Sequence, residues 1–292
     1  MRPGDLARLT ALAIIWSLSF VFLRVIVPAL GPMWTATLRV LIAGAALVAW
    51  FAVTHLDADV RRNWRAYLFV GALNSALPFV LFAFAAQHLP ASYLVILNAA
   101  TPMFAALAAA AWLGDRLTPV KLAGLALGAA GVTLVSRAGP VTPDATFALA
   151  VAASLGAALC YAIAGVWLKR HGAHLKSVAV AGWSQLFASL VLLPGAAATS
   201  IPATPTMLVL VDLLALALVC SGVAYLLYYR LIADVGPTRA MTVTFLMPAF
   251  GMAWGALFLG ERITSPMVAG AAMIIAGTAA VLRVGAIQRA RA

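Results

Sequence analysis

A few polar and aromatic side chains recur at helical spacing inside long apolar stretches, and they delimit the chemistry open to this chain. Asn74, Pro78 and Phe82 fall at i, i+4 and i+8, so an amide, a helix-breaking ring and an aromatic ring share one helix face. Asn98, Thr101 and Pro102 make a second cluster, Ser221, Tyr225 and Tyr228 a third stripe, and Thr244, Phe245 and Pro248 a fourth. Trp16, Ser17, Phe20 and Tyr161 add rings and a hydroxyl. Such groups hydrogen-bond and stack; none is an acid or base poised near neutral pH. The acidic residues Asp5, Asp57, Asp59, Asp115, Asp144, Asp212, Asp234 and Glu261 fall in expected loops or near helix ends, as do His55, His88, His171 and His174. With no mid-span cluster of His, Asp or Cys in ligand or nucleophile spacing, the pattern speaks for non-covalent binding and against an enzyme, a metal or another cofactor.

The elements that position these residues follow from composition. Of 292 residues, 65% are hydrophobic and 9% charged, which leaves too few polar side chains to cover a surface facing water. About 190 apolar residues, at roughly 20 per helical span, provide for about nine or ten crossings. Pro, Gly and charge divide the chain into ten expected helices: 6–27, 33–53, 65–86, 92–112, 121–136, 146–169, 178–197, 207–232, 239–259 and 266–283. The expected fold is an all-α membrane protein. With the N-terminus in the cytoplasm, the inner side collects the cations from Arg2 to Arg291 and leaves Arg24, Arg39, Arg137 and Arg262 outside. That is the positive-inside bias, and an even number of spans puts both termini inside. The net charge of +11 therefore reads as loop anchors and not as a nucleic-acid surface. Cys160 and Cys220 lie in apolar runs and read as buried thiols.

The chain also repeats itself. Shifting by half its length, 146 residues, superposes 89–137 on 235–283 without a gap. Pro102 meets Pro248, Gly114-Asp115-Arg116 meets Gly260-Glu261-Arg262, Gly124 meets Gly270 and Gly131 meets Gly277. Five helices per half make the second half enter the membrane inverted, an architecture of secondary transporters. The halves are expected at 1–139 and 140–292.

These paired units, Pro102 through Leu113-Gly114-Asp115-Arg116 and Pro248 through Leu259-Gly260-Glu261-Arg262, each followed by a Gly-rich helix, resemble the twin EamA-type repeats of the drug/metabolite transporter superfamily. The length and layout are similar to its bacterial amino-acid exporters, the aromatic amino-acid type above all. The resemblance implies a multi-pass inner-membrane protein that exports small metabolites by alternating access, with a cavity lined by helices 1, 3, 4, 6, 8 and 9.

On that basis Trp16, Ser17, Phe20, Asn74, Pro78, Phe82, Asn98, Thr101, Tyr161, Ser221, Tyr225, Thr244 and Phe245 are the candidate cargo contacts, and Pro102 and Pro248 the candidate hinges. Each has a plainer alternative: the amides as interhelical glue, the rings as core or lipid-facing surface. Arg39, about two turns inside a span, is expected to snorkel or meet a carbonyl in preference to clamping a cargo carboxylate. A zwitterionic or neutral cargo with an apolar side chain then suits a cavity without fixed charge. The alternative is a proton-coupled exporter of organic cations, disfavoured because Ile15-Trp16-Ser17-Leu18-Ser19 carries no carboxylate; a channel suits two inverted halves less well. The two Gly-acid-Arg turns are expected to be structural, their acids neutralising the adjacent Arg or capping the next helix. The expected partners are a small-molecule cargo and membrane lipid. The chain is expected to be a monomer, and the GxxxG pair Gly124 and Gly128 leaves a homodimer open.

Overall fold

A chain immersed in hydrocarbon must pair its backbone amides and carbonyls internally, and this one does so with helices. The computed structural model describes residues 2–138 and 144–290, the side chains of 138, 233, 237, 238 and 283–290 excepted; among the described residues there is no strand. The expected boundary between halves at 139 and 140 and the side chains of Arg283, Arg289 and Arg291 lie outside that set. The elements are α1 (Pro3–Val53), α2 (Val60–Ala86), α3 (Ala91–Asn98), α4 (Thr101–Leu113), α5 (Pro119–Ala138), α6 (Ala145–His171), α7 (Ser177–Ala197), α8 (Met207–Ile232), α9 (Pro237–Ala240), α10 (Val243–Leu259) and α11 (Ser265–Ala290). Among the described residues, eight helices are long and apolar enough to cross a membrane, α3 and α4 together counting as one, and α10 is a shorter apolar helix. The protein is a multi-pass membrane protein.

α1 spans 51 residues, roughly 76 Å at 1.5 Å per residue and far more than one bilayer core. It is interrupted at Gly31, where φ is 74° and ψ 164°, between Pro28 and Pro32. Glycine alone enters that region without strain, and Pro32 offers no amide to carry the ladder on. The break falls between the expected spans 6–27 and 33–53.

Four further interruptions sit inside spans. α2 opens into a π-turn at Ala72–Ala76 and α8 into a longer one at Ala215–Val223. Under the 146-residue shift the first falls within the second, and the two carry Asn74-Ser75 and Cys220-Ser221 at matching places. Between α3 and α4 the helix is broken at Ala99–Ala100, beside Pro102. Pro248, by contrast, lies inside the continuous α10, and the corresponding helix of the second half is broken at Met241–Thr242.

α5 packs along α11 through glycine. A Cβ on Gly124 would stand 2.7 Å from the Gly277 carbonyl oxygen, and one on Gly131 2.6 Å from the Gly270 oxygen. The partners cross over: each glycine meets the sequence-shifted equivalent of the other, so the two helices run antiparallel. Gly128 packs on the Met103 side chain, so the GxxxG pair serves an internal contact.

Because the contact is backbone on backbone, Gly277→Val should destabilise the protein by roughly 1–3 kcal/mol, while Gly4→Ala, with open space around it, should not. Thermal unfolding in detergent measures both; equal unfolding temperatures would refute the packing account.

Candidate functional site

Three of the interruptions, at Asn74, at Asn98 with Thr101, and at Met241, border a cavity of about 580 Å³. α1 contributes Trp16, Ser19, Phe20 and Arg39; α2 contributes Asn74, Phe79 and Phe82; the α3–α4 junction contributes Asn98, Thr101 and Pro102. Tyr161 enters from α6, Tyr225, Tyr228 and Tyr229 from α8, and Thr244 and Met247 from α10. The rings form two connected groups. Trp16 packs on Tyr228 at 5.1 Å between centroids and on Tyr225 at 6.1 Å, while Phe82 meets Phe20 at 5.2 Å and Tyr161 at 6.3 Å. The space is large enough for an aromatic amino acid with water, and its walls offer π faces with amides and hydroxyls between them.

Ten of the sequence-derived candidates meet here: Trp16, Phe20, Asn74, Phe82, Asn98, Thr101, Pro102, Tyr161, Tyr225 and Thr244. Ser17 does not; it is buried and donates to the Ile14 carbonyl at 3.0 Å. Pro78 and Pro248 are buried away from the cavity lining, and Phe245 is half-buried without reaching it. Ser221 lies behind the wall with both hydroxyl functions engaged. Its Oγ accepts from Arg39 Nε at 2.7 Å and donates to the Leu216 carbonyl at 3.3 Å, across the π-turn.

Arg39 departs from expectation. It neither snorkels nor meets a carbonyl: it is 5% exposed, lines the cavity, and lays its guanidinium 3.7 Å above the centre of the Phe79 ring. The cavity therefore does hold a fixed charge, and helix 2 of the expected set joins its lining. Sequence reasoning also passed over Ser19, Phe79 and Tyr229. A signal for two of these was present, since Phe79 neighbours Pro78 and Ser19 lies one turn beyond Trp16.

Known proteins are similar to this chain over nearly its whole length. The profile of the EamA-like transporter family matches twice, at residues 4–137 and 148–283. The chain belongs to the EamA-like transporter family. A probable amino-acid metabolite efflux pump of Escherichia coli is 27% identical over 94% of this chain and 93% of its own length. A probable terminal-alkyne amino-acid exporter of Streptantibioticus cattleyicolor is 25% identical over 90% and 88%, and the uncharacterized transporter YvbV of Bacillus subtilis 25% identical over 97% and 93%. A crystal structure superposes over 96% of both chains with a TM-score of 0.68 at 18% identity, which shows the fold.

In this EamA-like transporter the cavity reaches one end of the bundle. Its mouth is lined by Asp115, Lys121, Lys169, Gly172 and Met241. The same end holds the contacts of Arg8 with Asp234 and of Arg170 Nη1 with the Trp112 carbonyl. At the opposite end Ala203 N–H donates to the Ala29 carbonyl, Arg24 Nη1 to the Ala86 carbonyl, and α3 is buried along seven residues from Ala91 to Leu97. There Glu261 takes three donors at the α3 N-terminus: the amides of Ala91 at 2.6 Å and Ser92 at 3.0 Å, and the Ser92 hydroxyl at 2.6 Å. This corrects the expected pairing. Among the described residues Glu261 neither bridges to Arg262 nor caps the helix that follows it, because Gly260 in the left-handed region turns it back toward α3 instead.

If this space is the transport path, Ala105→Trp, which plugs the cavity wall, should abolish transport with little change in unfolding temperature. Full transport by a folded Ala105→Trp protein would remove the cavity from the path.

Proposed function

We propose that this protein exports amino acids with aromatic or other apolar side chains, and related small metabolites, across a bacterial inner membrane by alternating access. The observation that carries the reading is a cavity of rings, amides and hydroxyls whose lining reaches one end of the bundle. The names of the relatives from Escherichia coli and Streptantibioticus cattleyicolor support amino-acid cargo and the direction. No covalent step and no cofactor enter.

The mechanism rests on ten crossings in two inverted halves, α1 supplying two and α9 with α10 supplying one. Three features support the symmetry: the crossed glycine contacts, the overlapping π-turns, and two identical turns. In the first turn the amides of Gly114 and Asp115 fold back on the Ala109 carbonyl; in the second, those of Gly260 and Glu261 fold back on Gly255. The halves nevertheless differ in state, since α3 is buried whereas its counterpart near Met241 borders the open mouth. In the positive-inside orientation the open mouth faces the cytoplasm, ready to take up cargo.

Glu261 on the α3 N-terminus is then the outer latch, a carboxylate held by three donors and by the positive end of the helix dipole. Under the 146-residue shift Asp115 stands for Glu261 and Thr238 for Ser92. When the outer end opens, Asp115 reaches the amide of Thr238 and latches the inner end. Exchange of one latch for the other lets either half adopt the conformation of its partner.

In proteoliposomes, phenylalanine, tryptophan or leucine should move saturably and without regard to a pH gradient, and Asn98→Ala or Tyr225→Ala should lower the rate about tenfold, the loss of one hydrogen bond of roughly 1.4 kcal/mol. Organic-cation flux driven by the gradient, with no amino-acid flux, would overturn the reading. For the latch, Glu261→Ala leaves three buried donors unpaired and should expose a cysteine placed at Val95 to an outside, membrane-impermeant thiol reagent. Equal labelling with and without Glu261 would exclude it.

A further inference from the structure

Arg39 is a cation almost wholly withdrawn from water, and among the described residues it has no anion beside it. Its neighbours come from three other elements: Phe79 on α2, Tyr161 on α6, and Cys220, Ser221 and Tyr225 on α8. None of these is a carboxylate, and the ion pairs formed among the described residues involve Arg8 and Arg230 only. Among the described residues its sole hydrogen bond is from Nε to Ser221, and neither terminal nitrogen has an acceptor. Burying an ion costs several kcal/mol unless a partner offsets it, and such a charge inside a membrane protein marks a binding site.

The geometry is that of a prepared receptor. Ser221 holds Nε from one edge and Phe79 supports one face, so the guanidinium plane is fixed before anything binds. The remaining edge presents two parallel N–H groups at the spacing of the two oxygens of a carboxylate, the fork geometry in which arginine binds most strongly. The aromatic groups around Trp16 and Phe82 line the same cavity and accept an apolar tail.

Building on the exporter reading, we infer that Arg39 anchors the cargo by its carboxylate, so that the ligands of this cavity are organic monocarboxylates with an apolar or aromatic tail, an amino group being dispensable. Ser221 and Phe79 are its positioning residues, which accounts for a mid-span serine that does not itself line the cavity.

The test is ligand binding to the purified full-length protein in detergent, followed by calorimetry, with 3-phenylpropionate, L-phenylalanine, L-phenylalaninamide and phenethylamine. The carboxylates should bind within about tenfold of one another, and the amide and amine at least tenfold more weakly. Arg39→Gln should erase that preference, and Arg39→Lys, which keeps the charge without the fork, should restore it in part. Each variant is checked by its unfolding temperature, and the wild-type comparison stands even if a variant does not fold. Titrating sodium chloride alone into the protein in low-salt buffer distinguishes an inorganic ion at the fork from a cargo. Equal binding of amide and carboxylate, unchanged carboxylate affinity in Arg39→Gln, no saturable carboxylate binding, or an Arg39-dependent signal from chloride alone would each overturn the inference. The two readings fail separately. Amino-acid flux that persists unaltered in Arg39→Gln sinks the anchor and keeps the exporter; carboxylate binding without amino-acid flux keeps the anchor and sinks that cargo.

Discussion

Lipid offers no hydrogen-bond partner, and that single constraint organises this molecule. A regular helix satisfies its own backbone, so each place where the ladder opens needs a donor from elsewhere. In the α8 π-turn the Cys220 carbonyl takes the Trp16 indole at 3.2 Å and the Ser221 carbonyl takes the Gln185 amide at 2.9 Å. At the α3–α4 break the Ala99 carbonyl takes the Thr278 hydroxyl at 3.3 Å. These bonds tie α1, α7 and α11 to the interrupted helices. Irregular backbone at membrane depth is stable where such partners, or a wet cavity, supply what lipid cannot.

The same constraint governs the two ends. At the sealed end, an α3 N-terminus would leave amides without partners in a dry interface, and Glu261 supplies a charge-assisted acceptor for two of them together with the Ser92 hydroxyl. At the other end Asp115, Lys121 and Lys169 are among the residues that line the cavity. Between them, α5 and α11 meet glycine on glycine, close enough that the carbonyl of one helix fills the space a side chain would need on the other.

Much of this was legible in the sequence where the signal is local. Apolar runs and their Pro and Gly punctuation located the helices, down to a break between 27 and 33 that the structure puts at Gly31. Amides, hydroxyls and rings at helical spacing marked Asn74, Asn98, Thr101 and Tyr225, because a polar group in an apolar stretch must face either a partner or a cavity. Ser221 shows where that inference stops. Its chemistry and depth fit a cargo contact, yet its oxygen is spent on a guanidinium 182 positions earlier in the chain. Arg39 was misjudged for the complementary reason. Snorkelling is the rule for a long cation near a span end, and only the placement of Phe79 and Ser221 on other helices holds it inward. Glu261 likewise looked like a local cap until its partners proved to be amides some 170 positions away.

The sequence by itself determined that this chain is a helical membrane protein of two related halves with an amide- and ring-bearing interior, because hydrophobicity, helical period and internal repetition are properties of neighbouring residues. The tertiary structure alone decided which end of the bundle the cavity reaches, that Arg39 lines it with no carboxylate beside it among the described residues, and that Glu261 binds the α3 N-terminus. Those facts depend on which helices pack together and at what depth, and the pairing of groups more than a hundred residues apart is set by packing, not by any pattern along the chain.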